Sequence, residues 1–218
     1  MKSIALLFIT FFVSNIICSQ TTAIPDVNFE QALINLGFDT GTPDGIVPTI
    51  NIDTISNLNI SSQQVTDLTG LEDFTTLTLF DCSNNQLASF DISQNLALTH
   101  LWCFDNQLIF LDVTNNVSLV ELHYGNNQLT SVDVTQNVLL VYLAFSNNSI
   151  NSIDITQNIN LIVLDCMDNE LTSLDVTQNA ALSILWCPNN QLVGLDLTQS
   201  YSLVEMQCKN NALTCLNV

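Results

Sequence analysis

Basic residues are almost missing from this chain: Lys2 and Lys209 are the only two in 218 residues, against twenty-one aspartates and glutamates. A polyanion repels nucleic acid and anionic lipid surfaces, so neither is expected as a partner. A basic protein, a neutral glycan or a divalent cation stays compatible with the charge, as does plain solubility, because the acids are spread along the chain. Histidine is equally scarce, with only His100 and His123. There is no glycine-rich phosphate loop, no HExxH and no C-x-x-C pair, so the usual platforms for phosphate, catalytic-metal and structural-zinc chemistry are absent from the sequence. No enzyme activity, cofactor or metal is expected. Charged residues make up only 11% of the chain and hydrophobic ones 47%, which argues for one folded unit rather than disorder.

Long apolar runs are lacking too. The run Ile4–Val13 is too short to span a bilayer, so no membrane insertion is expected. With Lys2 before it and small or polar residues around Cys18–Gln20 after it, the run reads as a secretory signal peptide over residues 1–20. Cys18 would suit a lipid anchor, but Ile17 is bulky where that processing needs a small residue. The expected location is therefore extracellular, either free or attached at the cell surface. Cleavage near residue 20 leaves Lys209 facing all twenty-one acids, a formal charge of −20.

What the chain has in abundance is repetition. LTHLWCFDNQLIFLDVTNNVS begins at Leu98 and returns 21 residues later at Leu119, then at Leu140, Leu161, Leu182 and Leu203, with an earlier copy from Leu77. A constant shift with leucines at L-x-x-L-x-C-x-x-N-x-L-x-x-L-D-V-T-Q-N makes each copy one turn of a leucine-rich-repeat solenoid. The expected fold is an α/β-type, right-handed horseshoe with a parallel sheet on one face and short, mostly extended return arms where a second strand is expected rather than a helix. In each strand the two-residue alternation sends Leu101 and Cys103 inward and His100, Trp102 and Phe104 outward. Asn106, with its counterparts at 85, 127, 148, 169, 190 and 211, falls at a bend where an amide can satisfy backbone donors and acceptors inside the coil. Leu108, Leu111 and Val113 complete the interior.

Cys82, Cys103, Cys166, Cys187 and Cys208 share one inward position, which Tyr124 and Phe145 occupy in two middle turns. Parallel side chains on neighbouring strands have poor disulfide geometry, so a ladder of buried free thiols is expected. Cys215 lies off the ladder and is the reactive candidate. On the return arm, Asp91, Asp112, Asp133, Asp154, Asp175 and Asp196 stack, each expected to fold back onto the N–H groups of the Thr and Gln that follow. A row of bridging cations is the sharper alternative. The adjoining threonines from Thr114 to Thr198 also admit an ice- or crystal-surface role.

Residues 21–55 leave the repeat. Phe29, Ala32, Leu33 and Leu36 recur at helical spacing behind Asp26 and before Gly37, which predicts an amphipathic helix over 26–36 covering the open first turn. DTGTPDG reads as a turn rather than a calcium loop, and Ile50 and Ile52 as a short strand. Ile55, Leu58, Ile60, Gln63, Val65, Leu68 and Leu71 form a first, slightly longer repeat. The solenoid then occupies 56–218, about eight repeats with the last incomplete. Leu203, Met206, Cys208, Leu213 and Leu216 are expected to line an open end beside an edge strand, inviting end-to-end self-association or a continuing chain.

The repeat resembles the cysteine-ladder repeats of internalin-type surface proteins and, still more, secreted leucine-rich-repeat proteins of flavobacteria. The second likeness extends to AIPDVNFEQALINLGFD before the repeats and to the ending NNALTCLNV. The resemblance implies an extracellular, non-catalytic binding or adhesion module with a protein or glycan ligand. Within it, the outward strand positions vary where the return arm does not: His100, Trp102, Phe104, Glu121, His123, Tyr142, Asp165, Met167, Trp186, Glu205 and Gln207 are the candidate ligand-binding residues. The competing expectation is a structural or surface-layer solenoid without a specific ligand.

Overall fold

The computed structural model describes residues 20–218; the signal segment expected over residues 1–20 lies outside them except for Gln20. Strand β1 (Thr21–Ala23) is followed by helix α1 (Val27–Asn35), β2 (Ile46–Pro48) and β3 (Asn57–Asn59). One short strand per turn comes next: β4 (Leu79–Asp81), β5 (His100–Trp102), β6 (Glu121–His123), β7 (Tyr142–Ala144), β8 (Val163–Asp165) and β9 (Ile184–Trp186). The chain closes with β10 (Gly194–Asp196), β11 (Glu205–Gln207) and β12 (Cys215–Asn217). An eight-stranded sheet runs in the order β11-β9-β8-β7-β6-β5-β4-β3, and its neighbouring strands are parallel. The register never slips: Leu101 faces Leu122, Leu122 faces Leu143 and Leu143 faces Leu164. Those residues, with Leu98, Leu108, Leu119 and Leu129, have no exposure and form one continuous core.

Asparagine holds the turns together. Asn85 Oδ1 accepts from the N–H groups of Gln63 and Val65 at 3.1 and 3.0 Å. Its Nδ2 donates to the carbonyls of Ile60, Cys82 and Ser83 at 2.9, 2.9 and 3.2 Å. One amide thereby satisfies backbone groups of two successive turns that water cannot reach. The residue before each such asparagine is left-handed: Asn84, Asp105, Asn126, Asn147, Asp168, Asn189 and Asn210 all have φ between 53° and 58°. Asn and Asp tolerate that region better than other side chains with a Cβ, which accounts for their monopoly of the position. A second ladder, Asn95, Asn116, Asn137, Asn158 and Asn179, is fully buried. Asn137 Nδ2 donates to the carbonyls of Val113 and Asn116, both at 2.9 Å, so this row stitches the return arms as the first stitches the strands.

The thiols follow the expected ladder. Cys82, Cys103, Cys166 and Cys187 are free and buried, whereas Cys208 is half-buried and Cys215 exposed. Tyr124 and Phe145 stack in the gap, with centroids 5.6 Å apart and planes within 10°, and the Tyr124 hydroxyl finds no protein partner there. Burial, reinforced by Cys208, pushes the Cys187 thiol up to about 12, and burial raises Cys103 as well. Thiolate is the reactive form, so maleimide at pH 8 should label Cys215 in the folded protein and reach Cys82, Cys103, Cys166 and Cys187 only on unfolding. Mass mapping of labelled peptides, with and without denaturant, checks this. Disulfides found among the ladder cysteines in the unreduced protein, or equal labelling rates, would count against it.

The cap corrects several expectations. The helix ends as predicted between Asp26 and Leu36, but Leu36 is 45% exposed, because the chain turns away at Gly37 before it can join the apolar face. Ile50 and Ile52 do not form a strand. Thr49–Asn51 is a 3₁₀ turn, with Ile50 74% exposed and Ile52 buried, and the strand is instead β2, antiparallel to β1. Phe29 stacks on Phe74 of the first turn at 6.2 Å. Buried Glu30 accepts from the N–H groups of Asp44 and Gly45 at 2.7 and 2.8 Å, which fixes the loop read as a turn. Gly70 has φ 100°, and a Cβ there would meet the Ala23 carbonyl at 2.5 Å, so the cap closes against a position only glycine can fill. Gln63 is exposed rather than interior.

The return arms are extended but mostly unpaired; among the described residues only β10 and β12 pair there. Each aspartate of the row turns inward on its own loop. Asp112 Oδ1 accepts from the N–H and hydroxyl of Thr114 at 2.9 and 2.6 Å, and the same pair recurs at Asp133, Asp154, Asp175 and Asp196. The partner is therefore the threonine twice over, or for Asp91 the Ser93 N–H at 2.7 Å, and not the glutamine N–H. At the far end Leu203, Met206, Cys208 and Leu213 are half-buried and Leu216 is 46% exposed, where the matching residues one turn earlier are buried.

Candidate functional site

The outward face of the eight-stranded sheet presents the residues the sequence marked. His100, Trp102, Phe104, Glu121, His123, Tyr142, Met167 and Trp186 are half-exposed, and Glu205 and Gln207 are exposed. Asp165 departs from expectation: it stands on the outward face but is only 8% exposed. Trp186 is its register partner on β9, and a bulky indole one strand spacing away covers a short carboxylate.

Most of the aromatics converge on β5, β6 and β7. Phe104 stacks on His123 at 4.4 Å and 28°, His123 meets Tyr142 edge-on at 6.4 Å, and His100 meets Trp102 edge-on at 6.3 Å. Small residues make room for this group. Gly125 lies where a Cβ would come within 3.0 Å of Ser146 Oγ and 3.4 Å of His123 Nε2, and Ala144 is fully buried beneath its neighbours. Burial holds His123 below the usual histidine range although Asp105 pulls the other way, so at neutral pH the ring packs as an uncharged aromatic. His100 accepts or donates at Thr99 Oγ1 (2.8 Å) through Nδ1, while its Nε2 lies 3.8 Å from Glu121 Oε1. Burial and the carboxylates of Asp165 and Glu121 raise the Tyr142 hydroxyl, which stays protonated and available as a donor. Trp186 Nε1 donates to Glu205 Oε1 at 2.8 Å.

Open furrows lie between the return arms. One of about 570 Å³ runs past Asp67, Glu72, Phe90 and Asp91, and another of about 420 Å³ past Asp175, Asp196 and Cys215. The Asp196 carboxylate in the second of these is already engaged by Thr198. Among the described residues no group of three His, Cys, Asp or Glu is placed to hold a metal ion, and no helix is long and apolar enough to cross a membrane. The sequence reading missed a row of exposed apolar residues just after the second asparagine ladder: Leu96, Val117, Val138, Ile159 and Tyr201, between 43% and 79% exposed. Their signal was present, as an apolar residue recurring at one fixed place in the repeat.

Fold and face together define a leucine-rich-repeat solenoid with a cysteine ladder. It is similar to the functional domain of InlJ from Listeria monocytogenes, which includes a cysteine ladder, at 34% identity and a TM-score of 0.74 over 90% of this chain and 49% of that one. A leucine-rich-repeat protein of Leptospira interrogans matches at 27% identity and a TM-score of 0.73, over 78% of this chain and 46% of the other. The effector YopM from Yersinia pestis shares the fold at 23% identity and a TM-score of 0.70, over 78% and 47%. The chain thus spans about half the length of these solved chains. No family model matches it, and no curated protein does.

Proposed function

We propose that this chain is a secreted binding module, with residues 1–20 as its signal, residues 21–55 as its cap and residues 56–218 as its solenoid, and that it recognises a protein through the outward face of the parallel sheet. One observation carries the reading: strand-face positions that change from turn to turn gather Trp102, Phe104, His123 and Tyr142 on one solvent-facing patch, with Trp102 in register beside His123. Large rings half-open to water retain apolar area that a partner can cover, and rigid aromatics are the usual anchors of interfaces. Stacking along the sheet accounts for part of their order, but not for the grouping of these four rings on three neighbouring strands. The similarity to the functional domain of InlJ supports a binding role on the same scaffold.

Screening the protein against arrayed extracellular proteins, with a glycan array in parallel, tests the reading. Trp102→Ala should weaken the ligand found by about 2 kcal/mol, roughly 30-fold, and leave the melting temperature within a few degrees. A ligand whose binding ignores Trp102, His123 and Tyr142 would return these rings to a structural role.

A further inference from the structure

Two turns of the coil carry the same outward pair, an aspartate at the end of one strand and a tryptophan in register on the next: Asp81 beside Trp102, and Asp165 beside Trp186. The two carboxylates are equally covered, at 9% and 8% exposure, but their hydrogen bonding differs. Asp81 takes three bonds. Its Oδ1 accepts from the Ser83 N–H at 3.0 Å and the Ser83 hydroxyl at 2.6 Å, and its Oδ2 accepts from Asn59 Nδ2 at 3.1 Å. At the second site Met167 replaces the serine and Ala144 replaces the asparagine, so both side-chain donors are gone. Among the described residues, Asp165 takes a single bond, from the Met167 N–H at 3.2 Å. The indole does not help, because Trp186 Nε1 is committed to Glu205 on the opposite side.

We propose that Asp165 and Trp186 form a seat for the guanidinium of an arginine presented by the protein partner, a step that rests on the sheet face being the binding surface. A covered carboxylate with unused acceptor capacity gains most from a donor that also carries positive charge. Asp168 adds to the negative field at Asp165, and Glu205 lies on the far side of the indole. Among the described residues Lys209 is the only lysine and there is no arginine, so this face has little positive charge of its own. Guanidinium is planar and weakly hydrated, so it can stack on an indole while its fork meets a carboxylate, which a sugar hydroxyl or a compact ammonium does less well. Asp81 is the poorer seat, since three bonds already occupy its two oxygens.

The test uses Trp102→Phe protein, which leaves Trp186 as the only tryptophan, titrated with the blocked tripeptide Gly-Arg-Gly and with its neutral citrulline isostere. Trp186 fluorescence should report saturable binding of the arginine peptide at least about tenfold tighter than the citrulline one, as expected for a charge-assisted contact. Asp165→Asn should abolish that preference. Met167→Ser, which restores the hydroxyl that Asp81 enjoys, should weaken arginine binding while keeping the carboxylate and the fold. Equal responses to arginine and citrulline, or an arginine preference that survives Asp165→Asn in a protein with unchanged circular dichroism, would overturn the seat. A macromolecular ligand lost in Trp102→Ala, with no arginine response at Trp186, removes the seat and leaves the face reading standing. An arginine response lost in Asp165→Asn establishes the seat even where no ligand depends on Trp102.

Discussion

Replacing Asn85 with alanine should destabilise the solenoid by about 4 kcal/mol, because buried backbone groups orphaned in one step cost about 1–3 kcal/mol each and only some can relax or reach water. The side chain serves the N–H groups of Gln63 and Val65 and the carbonyls of Ile60, Cys82 and Ser83, and is itself only 8% exposed. Gln86→Ala, next door and exposed, should change stability by less than about 0.5 kcal/mol. Urea denaturation gives the global figure. Hydrogen exchange gives the local one, since the amides of Gln63 and Val65 should lose protection first in a structure where turns contact only their neighbours. Unchanged exchange at those two amides would show that the asparagine is not their essential acceptor.

Asp26→Ala should cost about 3 kcal/mol, a helix cap of about 1 kcal/mol together with charge-assisted bonds to a distant segment. One carboxylate oxygen accepts from the N–H groups of Asn28 and Phe29 at the start of α1. The other accepts from Thr66 N–H and Oγ1, both at 2.7 Å, and from Asp67 N–H at 3.0 Å. A single side chain therefore starts the helix and fastens it to the first turn. Burial alone would raise this group, but the bonds from Thr66, Phe29 and Asp67 outweigh it and hold the carboxyl below the ordinary aspartate range. A depressed folded pKa means stability that is present above the unfolded value, about 3.9, and lost as pH falls through the folded one. Melting temperatures of the wild type should accordingly drop below about pH 4 more steeply than those of Asp26→Asn, which starts lower and has no proton to take up there. Parallel pH profiles would place the acid sensitivity in the exposed aspartates, such as Asp112 and Asp154, whose threonine bonds also lower them.

The coil was legible because its information is periodic. A leucine, cysteine or asparagine returning every 21 residues can only face the same way each time, so the inward list and the strand asparagines followed from counting. The left-handed residues and the second asparagine ladder were not among the expectations, although both recur at fixed places: only Asn or Asp from residue 84 onward, and an asparagine closing S-Q-N, T-N-N or T-Q-N. The cap was not legible. Thr21–Ala23 pairs with Ile46–Pro48 across a helix and a loop, a non-local contact that no local pattern announces, and it displaced the strand expected at Ile50 and Ile52. The candidate site was legible as a face and illegible in detail. Alternation places Asp165 outward, but whether it meets water depends on Trp186 in the next turn, and whether it is satisfied depends on Met167 and Ala144, three residues on three strands or their ends.

The unslipping register turns this molecule into a ruler. Trp102 and Trp186 stand at the same place in their turns, four strands apart in the sheet, so they are separated by about 19 Å, four strand spacings. That distance is an integer count of turns rather than the outcome of a bend or hinge. Losing one 21-residue unit between them, such as Leu119–Leu139, removes a single graduation together with one turn's share of the coil's rotation; gaining one adds both. Reach across the face is therefore adjusted in whole steps by copying or deleting sequence, while the chemistry at each mark is adjusted independently by point substitution.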